Sequence, residues 1–153
     1  MIELRLPYPI SANRYWATRV VTPRDGKPFV NTYVTPEAKE FKEAVGWIAR
    51  AAGARQPMQG RIAIEFTLHP KLPQDWKTRM RRDPAGWPDT VQCMDLDNAN
   101  KVLLDALKGI VFEDDSWVRQ ILAKRGEPRP DGELVVAVRP WVDETQPSLL
   151  EAL

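Results

Sequence analysis

Residues 94–115 read MDLDNANKVLLDALKGIVFEDD, a segment with acidic groups at both ends and a helical pattern between them. Asp97, Lys101 and Asp105 recur every four residues and therefore share one face of a helix. Apolar residues recur at intervals of three and four on the opposing face, which is typical of a helix packed on a core. These are Leu96, Ala99, Leu103, Leu107 and Ile110. We expect the helix to end at Gly109, because glycine is a common helix terminator.

The carboxylates at the two ends of this segment would repel one another if they met, unless a cation lay between them. Hard divalent cations such as magnesium prefer oxygen ligands and keep several waters, so two or three carboxylates suffice for a site. Asp95, Asp97 and one of Asp114 or Asp115 could supply them. For this to happen, the acidic turn at 113–115 must come back beside the start of the helix.

Each acidic group also has a purely structural interpretation. Aspartate is a preferred N-cap, and the helix dipole favours acids in the first turn. Asp97 and Lys101 could form an ordinary surface pair worth about 0.2–0.5 kcal/mol, and the turn at 113–115 could simply be solvated. Considered together, with Lys101 on the carboxylate side of the helix, these residues favour metal binding.

Lys101 suits phosphoryl chemistry, because a compact ammonium near a metal can stabilise the charge on a phosphate as a bond breaks. Residues 71–91 form a loop-like segment without usable periodicity that carries Trp76 and Trp87 among basic residues. It carries Lys77, Arg79, Arg81 and Arg82. The segment could hold a polyanionic substrate and stack on an exposed base, or it could be a mobile, solvated loop.

The bulk composition is that of one ordinary globular domain. The chain has 153 residues, of which 43% are apolar and 28% charged, and its formal net charge is +1. Net charge therefore does not announce a nucleic-acid partner, and any basic surface must come from local clustering. The single cysteine, Cys93, excludes an intrachain disulfide, and no apolar run approaches the about 20 residues that span a membrane. We expect a cytoplasmic protein.

Several other chemistries are excluded by residues that the sequence lacks. His69 is the only histidine and is predicted to be structural, and no serine lies in a nucleophile motif. There is no glycine-rich phosphate loop, and one cysteine with one histidine cannot build a structural zinc site. Carboxylate chemistry remains.

Alternating apolar residues predict four strands around this centre, the last of them covered on both faces. These strands are 2–6, 61–69, 117–124 and 133–141. Thr35 and Pro36 open a helix that is expected to run to about Ala52. Residues 20–31 contain a turn signal and form either a β-hairpin or a disordered excursion.

These elements predict an α+β fold. We expect one domain over residues 1–142, with a mixed sheet of about four strands and packed helices, and a tail over residues 143–153. Residues 7–16, PYPISANRYW, are loop-like and place Asn13 and Arg14 beside aromatic rings. They form either a loop that covers the core or one that contacts a ligand.

The motifs together resemble the RusA family of Holliday junction resolvases. The resemblance rests on DLDN at 95–98, Lys101, DAL at 105–107 and EDD at 113–115 followed by Ser116 and Val118. The N-terminal PYPISANRYW adds to it, and the similarity extends over about residues 4–139.

This resemblance implies a RusA-like fold and a homodimeric, magnesium-dependent endonuclease that resolves four-way DNA junctions by paired symmetric nicks, with a metal-activated water as nucleophile. Manganese could substitute. The family's essential carboxylates fall on Asp95, Asp97 and Asp115 and its essential lysine on Lys101, while Asp114 is a candidate further ligand. DNA contacts are expected from Asn13, Arg14, Lys77, Arg79, Arg81 and Arg82. Resolvases this compact are often phage-encoded, so a bacterial or phage source is implied.

Two departures from the family pattern bear on DNA contact. Gln92, Cys93 and Met94 stand where relatives often carry basic residues, and Trp117 stands where they often carry a polar one.

Two other functions stay open at this point. One is a non-catalytic module that binds branched DNA, and the other is a magnesium-dependent phosphohydrolase acting on flap DNA or nucleotides.

Overall fold

The structure, a computed structural model, describes residues 1–142, so the tail predicted for residues 143–153 lies outside the described residues. Six strands and four α-helices follow one another along the described chain. Their bounds are β1 Ile2–Leu6, α1 Ala12–Tyr15, β2 Trp16–Val21, β3 Phe29–Val34, α2 Pro36–Ala51, β4 Ile62–His69, α3 Trp76–Arg82, α4 Leu96–Leu107, β5 Val118–Arg125 and β6 Glu133–Pro140. Short 3-10 turns occupy Trp87–Thr90 and Asp115–Trp117.

Four strands form one mixed sheet in the order β1-β6-β4-β5. Strand β6 lies antiparallel to both β1 and β4, whereas β5 runs parallel to β4 at the edge. The predicted α+β class, with a mixed sheet of about four strands and packed helices, is confirmed. The predicted alternation places Ile62, Ile64, Phe66 and Leu68 of β4 in the core.

Helices α2 and α4 cover the apolar face of this sheet and share one core with it. Helix α4 buries five side chains, Ala99, Val102, Leu103, Ala106 and Leu107. Fully burying a side chain such as Leu103 or Leu107 stabilises the fold by about 1.5–3 kcal/mol. The predicted end of α4 is confirmed, because Gly109 follows the helix with a φ of +78, which glycine adopts readily.

Helix α2 begins as the sequence predicted. The Oγ1 atom of Thr35 accepts a hydrogen bond from the Ala38 N–H at 3.2 Å, and Pro36 occupies the first helical position. The helix ends at Ala51, one residue before the predicted end, and Ala52 is exposed.

Of the two structures that the sequence left open for residues 20–31, the β-hairpin is the one observed, because β2 and β3 pair in a separate two-stranded sheet. Two other regions differ from the sequence predictions. The segment 71–91, predicted to be loop-like, contains helix α3. This helix buries no side chain, so its sequence shows no periodic pattern of apolar residues. Strand β6 is covered on one face only, since Val136 is buried while Val135 and Ala137 on the opposite face are half-exposed.

Candidate active site

Two carboxylates lie at the N-terminal end of α4. Asp95 occupies the N-cap position, and its backbone oxygen accepts from the Ala99 N–H at 3.0 Å, but its side chain makes no capping hydrogen bond. Asp97 lies in the first turn. Both side chains are exposed, and neither forms an ion pair with any residue in the described range 1–142. Neither carboxylate is therefore occupied by capping or pairing.

The face that the sequence assigned to Asp97, Lys101 and Asp105 divides into two parts. Lys101 is exposed and, among the described residues, has no carboxylate within ion-pair distance, so the predicted pair with Asp97 is not formed. Asp105 is instead engaged, since it accepts a hydrogen bond from the Tyr15 hydroxyl and pairs with the Lys42 Nζ at 3.4 Å. The N-terminal half of the face is thus open, and the C-terminal half is structural.

A cleft of about 1090 Å³ opens beside the N-terminal end of α4. Asp95 and Asn98 line it from the helix, Arg14 lines it from the N-terminal segment, and Lys71 and Arg79 line it from the segment before the helix. The cleft therefore brings acidic and basic groups of three chain segments together. Cys93 is half-buried and lines the same cleft.

Hydrogen bonds hold the N-terminal segment along α4. The Oδ1 atom of Asn98 accepts from the Ala12 N–H at 2.7 Å, and the Tyr8 hydroxyl accepts from the Met94 N–H at 2.7 Å. Tyr15 is fully buried, and burial together with the bond to Asp105 raises its pKa far above the usual value, so its hydroxyl stays a donor.

Sequence reasoning missed these positioning roles. Asn98 belongs to the DLDN motif, which was a signal that could have found it, but nothing in the local pattern marked Tyr8 or Tyr15. Their partners lie 86 and 90 residues away along the chain, beyond the reach of any local period.

Two of the six residues predicted to contact DNA, Arg14 and Arg79, line the cleft. Arg14 pairs with the Glu37 Oε1 at 2.7 Å and lines the cleft, and Asn13 beside it is exposed. Helix α3 presents three exposed cations, Lys77, Arg81 and Arg82. Arg79 differs from these three, because it bonds to the Asp75 Oδ1 and the Thr90 backbone oxygen, each at 2.9 Å. Arg79 therefore holds this segment together as well as lining the cleft.

The acidic turn lies at the other end of α4. The Oδ1 atom of Asp114 pairs with the Lys108 Nζ at 2.9 Å, and its Oδ2 accepts from the Ser116 N–H at 3.2 Å. These hydrogen bonds hold the pKa of Asp114 well below the usual carboxyl range. Asp115 is exposed and forms no ion pair within the part of the chain that the structure describes.

Within one chain, Asp115 does not come back beside Asp95 and Asp97. Helix α4 has 12 residues and is therefore about 18 Å long. Arg125, at the end of β5, bonds to the backbone oxygens of Pro88 and Val91 at 2.8 and 2.7 Å. The C-terminal end of β5 therefore lies near the start of α4. Asp115 lies at the opposite end of β5, just before its first residue. Accordingly, no three His, Cys, Asp or Glu side chains among residues 1–142 are grouped closely enough to hold a metal ion.

A comparison with family models decides the identity of the chain. The model described as endodeoxyribonuclease RusA matches residues 7–139, a span that contains both ends of α4 and every residue proposed for the site. The chain belongs to the RusA family. RusA enzymes are endodeoxyribonucleases that resolve Holliday junctions, so this chain is a nuclease whose substrate is junction DNA. This confirms the family resemblance and sets aside a non-catalytic DNA-binding module.

A search of the curated proteins found no match to this RusA chain. Nucleases of this kind generally depend on a divalent metal, and the exposed carboxylates Asp95 and Asp97 fit such a hard cation but supply only part of its ligands. No helix within residues 1–142 has the length and apolar character needed to cross a bilayer.

Proposed function

We propose that this RusA enzyme is a homodimer that resolves four-way junctions by paired, symmetric, magnesium-dependent nicks. The observation that carries the proposal is the separation of its carboxylates, Asp95 and Asp97 at one end of α4 and Asp115 at the other. A two-fold axis relating two chains would bring the ends together twice, because every contact in such a dimer occurs in duplicate. Two sites of this kind suit a substrate with two symmetry-related strands.

In this dimer each metal ion would be bound by Asp95 and Asp97 of one subunit and by Asp115 of the partner subunit. The ion would be magnesium, with manganese able to substitute, since both accept carboxylate oxygens. When bound, it would activate the attacking water and stabilise the leaving oxygen. We leave Asp114 out of this ligand set, because its two carboxylate oxygens already bond to Lys108 and Ser116.

Cationic and polar groups in and around the cleft act on the phosphate and the DNA arms. Lys101 lies one turn beyond Asp97 and has no carboxylate partner among the described residues, so its ammonium can stabilise charge that develops on the phosphate in the transition state. Arg14 and Arg79 line the cleft and can bind backbone phosphates. The exposed cations of α3, namely Lys77, Arg81 and Arg82, extend this contact along an arm, with Asn13 as a polar contact.

Mixing two inactive variants tests the shared site. Asp97→Asn and Asp115→Asn should each lower nicking by more than about 10²-fold, because even the outer-shell partners of a metal are worth 10–100-fold. Junction binding in chelator should stay near that of the wild type, since it depends on the basic groups. After subunit exchange in equal amounts, half of the dimers are mixed and each has one intact site, so about one quarter of the wild-type nicking should return. A mixture that stays inactive would place all three carboxylates in one chain.

Substrate choice and dimerisation are tested separately. Four-way, flap and linear duplex DNA are incubated with magnesium and with chelator, and the mass of the protein in solution is measured by light scattering. We expect paired nicks in the junction alone and a dimer mass. Glu43→Gln changes an exposed acid on α2 that has no proposed role in the site, and it should behave as the wild type. Cleavage of flaps or free nucleotides would favour the phosphohydrolase instead.

A further inference from the structure

The hairpin of β2 and β3, here called the ribbon and comprising residues 16–34, forms a sheet of its own. All of the residues from 22 to 30 are exposed. Its base is anchored, because Trp16 and Val34 pack against the core and the Thr35 N–H donates to the Tyr15 backbone oxygen at 3.0 Å. Thr35 also donates through its Oγ1 to the backbone oxygen of Arg14 at 2.7 Å. Since Arg14 lines the cleft, the ribbon begins at the wall of the candidate active site.

The two faces of the ribbon differ in chemistry, because residues that are direct cross-strand partners lie on the same face. One face carries the pairs Trp16–Val34, Thr18–Thr32 and Val20–Val30 and has no charge. The other carries Ala17–Tyr33, Arg19–Asn31 and Val21–Phe29. On this second face the Arg19 Cζ lies 5.3 Å from the centre of the Tyr33 ring. The second face therefore combines a cation, an amide and two exposed aromatic rings, Phe29 and Tyr33.

The charges of the ribbon are mostly positive. Arg19 on the second face and Arg24 and Lys27 in the loop are its three cations, and Asp25 is its only acid. None of the three cations forms an ion pair in the described part of the chain. A short two-stranded ribbon is at best marginally stable by itself, so an anionic partner would stabilise it.

We propose that the ribbon is a second DNA-contacting element, which grips the phosphate backbone of a junction arm outside the cleft through Arg19, Arg24 and Lys27. The inference rests on the proposed function, since it takes the cleft as the place where the junction is cut. A two-stranded ribbon is narrow enough to enter the major groove. Six residue pairs make it about 17 Å long, so its loop contacts DNA well away from the cleft. Asn31 and Tyr33 add polar contacts to the same backbone.

The test removes the charge and keeps the ribbon. In Arg19→Gln/Arg24→Gln/Lys27→Gln we expect junction affinity in chelator to fall at least about tenfold at low salt. The slope of log affinity against log salt should fall by up to about 2.7 per subunit, which is 0.9 for each of three phosphates, and therefore by up to about 5.4 for the dimer. Nicking of fully bound junctions should not change, because none of the three residues lines the cleft or belongs to the groups proposed to bind the metal or stabilise the transition state. Unchanged affinity and slope would overturn the proposal. If the wild type does not nick junctions, but its salt slope in chelator is still steeper than that of the glutamine variant, only the proposed function is overturned.

A second variant replaces residues 22–28 by Asn-Gly. Val21 and Phe29 are direct partners, so a two-residue type I′ turn closes the hairpin without changing its register. This variant removes two of the three cations of each ribbon and should lower the slope by up to about 1.8 per subunit, or about 3.6 for the dimer. A slope equal to that of the wild type, in a variant whose circular dichroism shows a folded chain, would contradict the proposal.

Two controls separate DNA contact by the ribbon from subunit contact and from a change in net charge. Val20→Thr/Val30→Thr changes the uncharged face, whose two valines are each 68% exposed, and should leave both the salt slope and the dimer mass unchanged. If it dissociates the dimer and weakens binding while the glutamine variant does not, the ribbon is a contact between subunits and the proposal fails. The variant Lys39→Gln/Arg50→Gln/Arg55→Gln loses the same charge around α2. An equal fall in slope there would assign the effect to net charge and overturn the proposal.

Discussion

The two ends of helix α4 carry the same residue types in opposite states. At the N-terminal end Asp95, Asp97 and Lys101 are exposed and have no ion-pair partner among the described residues. At the C-terminal end Lys108 and Asp114 are joined at 2.9 Å. The helix dipole explains how Asp95 and Asp97 can stay unpaired, because it favours carboxylates at the N-terminus without a cation beside them. It also favours Lys108 at the C-terminus, where the turn at Gly109 returns an acid to it.

This contrast separates functional charge from structural charge. The oxygens of Asp114 already accept hydrogen bonds from Lys108 and Ser116. Asp95 and Asp97, at the start of α4, are exposed and can bind a metal ion. Substitutions at successive positions along α4 should therefore differ in whether they lower the nicking rate or the stability of the fold.

Removing Lys101 should have the largest effect. We expect Lys101→Ala to lower the single-turnover nicking rate by about 10²–10³-fold, the usual loss when one electrostatic stabiliser of a transition state is removed. Its Tm should equal that of the wild type, because the side chain is exposed and has no carboxylate within ion-pair distance in residues 1–142. Lys39→Ala on α2 is the control and should change neither quantity. A fall in Tm that accompanies the fall in rate would indicate a structural lysine.

Tyr15→Phe tests the middle of the helix, where Asp105 already has partners. Loss of a hydrogen bond to a partly buried carboxylate should lower the free energy of unfolding by about 1–3 kcal/mol in urea titrations. The nicking rate of bound junctions should fall far less than in Lys101→Ala.

The same variant predicts a pH dependence. The pKa of Tyr15 is raised in the folded chain, so its contribution is complete below the ordinary value of 10.0 and is lost as the pH rises above it. The difference between wild type and variant should therefore shrink in alkaline solution. Tyr33→Phe on the ribbon, an exposed tyrosine, is the control and should show neither effect.

Asp114→Asn should have the smallest effect. It breaks an exposed pair with Lys108, so we expect a slight fall in Tm at neutral pH and a nicking rate close to that of the wild type. Because the pKa of Asp114 is lowered in the folded chain, the pair stabilises the fold above the ordinary carboxyl range. That contribution is lost as the pH falls through the lowered pKa, and the difference in Tm should shrink in acid. Nicking as low as in Asp115→Asn would make Asp114 a ligand.

Local patterns were enough for much of the fold. The alternation in β1 and β4, the Thr35-Pro36 start of α2 and the glycine end of α4 each depend on residues within one or two turns of one another. Helix α3 escaped detection because it has no buried face and owes its position to Arg79, whose partner Thr90 lies eleven residues away.

The chain by itself determined the chemistry of the site. The acids and the lysine of residues 94–115, and the helical period between them, are present in the order of the residues and needed only the rules of helix geometry. Whether the acids meet was decided by the tertiary structure. A 12-residue helix is rigid and about 18 Å long, and β5 runs parallel to β4, so Asp115 is held at the far end of α4 from Asp95 and Asp97. Spacing along a chain does not state how far apart a fold will hold its ends, because that distance depends on packing between segments remote in sequence.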